Sequence, residues 1–112
     1  MNNPPVEESL DPADWEALRR LAHQAIDDGF DHLQGVRDRP VWQPVPEAVV
    51  ARLRQPAPRL PQGAESAYRE FKEIVMPYSM GNTHPRFWSW FMGNGTPSAA
   101  VGDFLAAVLN PN

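Results

Sequence analysis

A mainly α-helical chain, drawn out on proline-rich joints rather than folded into a tight bundle, is predicted by three observations. Apolar residues recur at steps of three and four in four separate stretches. The thirteen prolines concentrate between residues 40 and 61, where they favour extended connectors over short helix-to-helix loops. Capping and stopping residues bracket the helical stretches, with Asp11-Pro12 before the first and Thr96-Pro97 and Asn110-Pro111 around the last.

Residues 1–10 are polar and proline-bearing and are expected to be a disordered lead. Asp11 then caps a helix, with Pro12 in its first turn and Asp14 beside the positive end of the helix dipole. Trp15, Leu18, Ala22, Ala25, Gly29, Leu33 and Val36 follow at helical spacing, widened by Ile26 and Phe30. Run to Val36, this helix is roughly 38 Å long at 1.5 Å per residue. A rod of that length needs more surface than so short a chain offers, so a second copy is expected to cover its stripe. The opposite face carries His23, Asp27, Asp28, Asp31 and His32. Two His/Asp pairs there have the four-residue spacing of metal ligands, but the pattern reads as a solvated face with local ion pairs, and no metal site is assigned.

The sequence RPVWQPVP over residues 39–46 reads as extended, polyproline-like chain with Trp42 as an anchor on another surface. A short helix follows from Glu47 to about Arg54, then the joint QPAPRLPQG, read as a linker rather than a ligand for a proline-binding module. The third helix spans Ala64 to Val75, is expected to bury Ala67, Phe71, Ile74 and Val75, and ends at Pro77. After a glycine-containing turn, Phe87, Trp88, Trp90 and Phe91 alternate as in a strand, with bulky rings on both faces. Gly93-Asn94-Gly95 is a turn. It lacks the lysine of a phosphate-binding loop, and Pro97 removes a donor that an anion would use. The fourth helix opens at Thr96-Pro97, carries Val101, Phe104, Leu105 and Val108, and stops at Asn110-Pro111.

Composition narrows the function. A net charge of -4 and a pI near 5.2 argue against nucleic acid as a partner. There is no cysteine, hence no disulfide framework or thiolate metal site. The first residues lack the pattern of a secretory signal, and no stretch has the length and apolarity of a membrane span, so a cytoplasmic location is expected.

The ordered set His84-Pro85-Arg86-Phe87, Trp90-Phe91, Asp103 followed by an apolar helix, and Asn110-Pro111-Asn112 resembles the pyridoxal-phosphate-dependent group II amino-acid decarboxylases. That family acts on aromatic amino acids, glutamate and histidine. The similarity extends back to about Asp11. It implies an N-terminal helical dimerisation segment at 11–82 and, at 83–112, the truncated start of the α/β large domain of a fold-type I pyridoxal-phosphate enzyme. In the family the helical segment lies across the partner subunit of a homodimer. The chain is then expected to be a fragment of a carboxy-lyase, inactive alone.

Such an enzyme holds its cofactor on a lysine as a Schiff base. The one lysine here, Lys72, sits between Glu70 and Glu73 and reads as a surface cation; the family's lysine, stacking histidine and ring-binding aspartate lie downstream of the matched region. No catalytic or cofactor-binding residue is therefore assigned. The resemblance implies substrate contact for Trp90, Phe91, Met92 and Gly93, whereas by residue class alone these could equally be core. Relatives acting on glutamate carry a polar amide at the position of Trp90, which disfavours an acidic substrate. Relatives acting on aromatic amino acids carry a hydroxyl at the position of Gly93, so one substrate hydrogen bond would be missing. An aromatic or apolar amino acid is expected. His84, before Pro85 in a turn, is expected to make a structural hydrogen bond. The alternative is a free-standing helical interaction or dimerisation module without catalysis. A third reading keeps the cofactor but carries out transamination or aldehyde formation.

Overall fold

The computed structural model describes residues 9–91, 93 and 95–110. Four α-helices form, α1 (Trp15–Gln34), α2 (Glu47–Leu53), α3 (Ala64–Glu70) and α4 (Pro97–Leu109). Among the described residues there is no strand, and no helix is long and apolar enough to cross a membrane. The helical part of the expected architecture holds; the start of an α/β layer is not seen among these residues. Most of the lead at 1–10 lies outside them.

α1 begins three residues later than its sequence suggests. The cap is Asp14, extended at φ -130° and ψ 98°, whose carboxylate accepts the Ala17 N–H at 3.0 Å. Asp11 is spent locally, its N–H donating to Ser9 Oγ. Twenty residues give a rod of about 30 Å, and the Gly35 N–H closes it on the Asp31 carbonyl at 2.9 Å. A single 3-10 turn, Val36–Asp38, then leads into the extended joint.

α3 continues as a π-helical turn over Phe71–Val75, in which the Met76 N–H reaches back to the Phe71 carbonyl. Pro77 has no N–H to continue the ladder, and the chain tightens into the 3-10 turn Met76–Tyr78. α4 follows its sequence signals. Thr96 accepts the Ala99 N–H at 3.2 Å, Pro97 occupies the first turn, and Asn110 ends the helix in the left-handed region at φ 41°.

Polar contacts link three of the helices: Lys72 and Tyr68 bridge α3 and its π turn to Asp28 of α1, and Arg52 of α2 pairs with Glu70 of α3 at 2.9 Å. α4 and α1 line an open apolar cleft of about 210 Å³ that includes Phe30 and Phe104. No apolar residue among those described is buried. The core expected on the third helix is thus not formed by this chain, for Phe71 and Val75 keep nearly half their surface in water. Trp42, the expected anchor, is 60% exposed. The helices lie along one another too sparsely to enclose a side chain, and the molecule measures 67 × 35 × 26 Å.

Candidate functional site

The segment expected to be an aromatic strand is irregular chain with a bend at Ser89 and Trp90. The Phe87 and Trp90 rings meet edge to face, with centroids 6.1 Å apart and planes at 61°. In a strand, residues three apart point to opposite faces, so this contact requires the chain to turn back between them. The cause lies just before it. His84 closes a turn on Gly81, N–H to carbonyl at 2.9 Å, and Phe87 closes the next on His84 at 3.0 Å. The His84 Nδ1 accepts the Arg86 N–H at 3.0 Å, the structural role expected of it, and His84 is buried at 7% exposure. With no neighbouring strand to pair, consecutive turns satisfy the backbone instead.

Of the residues expected to contact substrate, Trp90 is 65% exposed and Phe91 fully exposed. Gly93 is exposed as well, and Met92 lies outside the described residues. Trp88, beside them, is 90% exposed. The Trp88, Trp90 and Phe91 rings are thus presented to solvent on one short segment.

Behind that segment is a cleft of about 330 Å³ where residues 39–43 cross the 79–84 turn. Gly81, at φ +82°, lets the two backbones touch, for a Cβ there would lie 1.8 Å from the Val41 carbonyl oxygen. Gln43 Nε2 donates to the Pro77 carbonyl at 2.9 Å. His32, Arg39, Trp42 and His84 line the cleft.

Lys72 is held, as an ammonium, 2.9 Å from Asp28 Oδ2 and 5.9 Å from the Tyr68 ring centroid. Tyr68 Oη donates to the same carboxylate oxygen at 2.5 Å. These two donors, the tyrosine first, hold Asp28 below the usual carboxylate range; burial, then Asp28, pushes Tyr68 up to about 12. An ammonium fixed in this way is a strut between two helices and not an amine free to attack a carbonyl. Sequence reasoning missed the strut, having placed Asp28 on a solvated face. The available signal was the four-residue spacing of Tyr68 and Lys72, which puts both on one side of a helix. Among the described residues no three His, Asp or Glu side chains are placed to share a metal ion.

Geometry thus defines a helical, open segment whose apolar faces and aromatic tip are unfilled, the form of a part of a larger fold. No family model matches the chain. It is, however, 28% identical over 111 residues to an aromatic-L-amino-acid decarboxylase of Catharanthus roseus, covering 98% of this chain and 22% of that protein. A tyrosine decarboxylase of Oryza sativa subsp. japonica is 32% identical over 103 residues, covering 87% and 19% respectively. Among solved structures, Catharanthus roseus tryptophan decarboxylase in complex with L-tryptophan superposes with a TM-score of 0.68 at 26% identity, over 90% of this chain and 21% of that one. The chain spans about a fifth of the length of these relatives. The likenesses bear out the resemblance read from the sequence, to an N-terminal segment of a group II pyridoxal-phosphate-dependent decarboxylase.

Proposed function

We propose that this chain is the N-terminal part of a subunit of a pyridoxal-phosphate-dependent amino-acid decarboxylase acting on an aromatic or apolar amino acid. The likeness over 98% of the chain to 22% of an aromatic-L-amino-acid decarboxylase carries this reading. In it, residues 11–82 supply contacts to the second subunit of a homodimer. The uncovered stripe of α1, where Trp15, Ile26 and Phe30 are each more than 40% exposed, supports that role, since such a surface is stabilised when a partner removes it from water. Trp90, Phe91, Met92 and Gly93 form one wall of the substrate pocket, and the exposure of the Trp90 and Phe91 rings leaves them free to meet an aromatic side chain.

The residues present here do not by themselves hold pyridoxal phosphate. The sole lysine is committed to Asp28, so the attachment lysine and the chemistry that releases carbon dioxide belong to another part of the subunit. What this chain does is position, cover and exclude water.

Intact mass and absorbance of the protein from its native source test the proposal. The expected result is a mass several times 12.6 kDa, a pyridoxal absorption band discharged by borohydride, and carbon dioxide release from tryptophan or tyrosine. A native chain of 12.6 kDa without that band would sink it in favour of an interaction module. In the active enzyme, Trp90→Ala is expected to lower kcat/KM for an aromatic substrate about tenfold, the equivalent of one lost ring contact. An unchanged kcat/KM would remove Trp90 from the pocket.

A further inference from the structure

Residues 39–43 form a strap over the 79–84 turn, held at three points. Val41 presses its carbonyl on Gly81 in the middle, and Gln43 is tied to the Pro77 carbonyl at one end. At the other end Arg39 Nη1 lies 2.5 Å from Nδ1 of His32, in the last turn of α1. The first two contacts join neutral groups. The third does not.

A guanidinium has only donors and keeps its charge at any pH a protein meets. Contact with Nδ1 therefore uses the lone pair of that nitrogen, which makes His32 a neutral imidazole with its proton on Nε2. A proton added at Nδ1 takes the acceptor away and leaves two cations face to face. We propose that His32 and Arg39 are a pH-sensitive latch: protonation of His32 expels the Arg39 guanidinium, frees that end of the strap and opens the cleft beneath it.

Other charged groups around the ring set how readily it opens. On α1, Asp28 lies one turn earlier and Asp31 adjacent, and the negative end of the helix dipole falls at this turn; all three favour the protonated ring. Asp28 already serves Lys72 and Tyr68. From the opposite wall His84 faces the cleft, its own Nδ1 occupied by the Arg86 N–H. Burial of the ring, and then Arg39, hold His32 below the usual imidazole range. The latch is thus closed at neutral pH and opens on acidification. The strap's other two ties do not titrate, so it swings from Val41 and Gln43.

Two measurements on the protein as isolated from its native source, mapped to His32, Arg39 and Arg59 by peptide mass, test this. Exchange of histidine C2 protons, read by mass spectrometry, follows protonation of each histidine separately. Phenylglyoxal labelling reads the accessibility of Arg39 relative to Arg59 in the proline joint. The His32 midpoint is expected below the ordinary value of about 6.5, with the Arg39 to Arg59 labelling ratio rising as pH falls through that midpoint. Arg39→Gln should move the midpoint up, and His32→Gln should make the ratio independent of pH. A ratio that stays flat across the His32 midpoint overturns the proposal, as does a midpoint that Arg39→Gln leaves in place. The unsubstituted chain decides the matter if either variant fails to fold.

Discussion

At Gly81 the backbone has a φ of +82° and passes so close to Val41 that an added Cβ would overlap the carbonyl oxygen at 1.8 Å. Gly63 has nearly the same φ, +83°, with nothing within 4 Å of its Cβ position. The pair separates backbone strain from collision. Gly63→Ala is expected to cost about 1 kcal/mol, the penalty of the left-handed region alone, and Gly81→Ala at least about 2 kcal/mol, since the strap must also move. Denaturant midpoints of the native-source protein carrying each substitution check this, and equal losses would show that the crossing yields freely. The Asp28 cluster gives a second residue-scale expectation. Its carboxylate titrates below the unfolded value of about 3.9, so its stabilisation is present above that pH and lost as pH falls through the depressed folded value. Tyr68 works in the opposite sense: neutral and pushed up to about 12, it stabilises below the unfolded value of about 10 and loses that contribution as pH rises toward the folded one. Melting temperatures of the native-source protein carrying Tyr68→Phe should therefore fall less steeply above about pH 10 than those of the unsubstituted protein. Neither residue's role was legible in the sequence, because Asp28 and Tyr68 are forty positions apart and their spacing within each helix fits a solvated face equally well. His84 was legible, since a histidine before proline in a turn has backbone donors within reach of its ring.

The boundaries of α4 were legible in the sequence. Thr96 and Pro97 start α4 and Asn110 ends it, each acting on backbone groups within a few residues. At α1 the expected cap, Asp11, is not the one used: Asp14, expected only to favour the helix dipole, carries the carboxylate that reaches the Ala17 N–H. Asp14→Ala should accordingly lower stability by about 1 kcal/mol, while Asp11→Ala should change it by a few tenths. Circular dichroism melts of the native-source protein distinguish them, and a larger loss at Asp11 would place the cap where the sequence first suggested. The π turn at Phe71–Val75 was not legible, because it alters hydrogen-bond register without disturbing the order of apolar residues over one turn. Nor was the irregular path of residues 87–91. Alternating aromatics favour a strand only where another strand is available to pair.

Across the whole molecule the radius of gyration is 18.3 Å, against about 13 Å for a compact domain of this length. Accessible surface is 10202 Å², where a globular protein of this mass exposes about 6,200 Å². Under the proposed function, the excess is area that the rest of the subunit and its partner cover. Alone, the chain is expected to self-associate and to melt without a sharp transition, which light scattering and calorimetry would register; a monodisperse, cooperatively melting monomer would contradict the proposed role as part of a larger subunit. Length and proline placement made this openness legible in advance, since a long first helix and extended joints leave too little chain to wrap it.

The exposed tryptophans carry an optical consequence. Trp15, Trp42, Trp88 and Trp90, the chain's four indoles, are each at least 60% open to water. Their combined emission should resemble that of the free amino acid, long in wavelength and readily quenched by iodide. Any surface that settles over α1, the strap or the aromatic tip will shift that emission to the blue. Single Trp→Phe replacements would then tell which of the three regions has been covered, without a dye attached anywhere on the molecule.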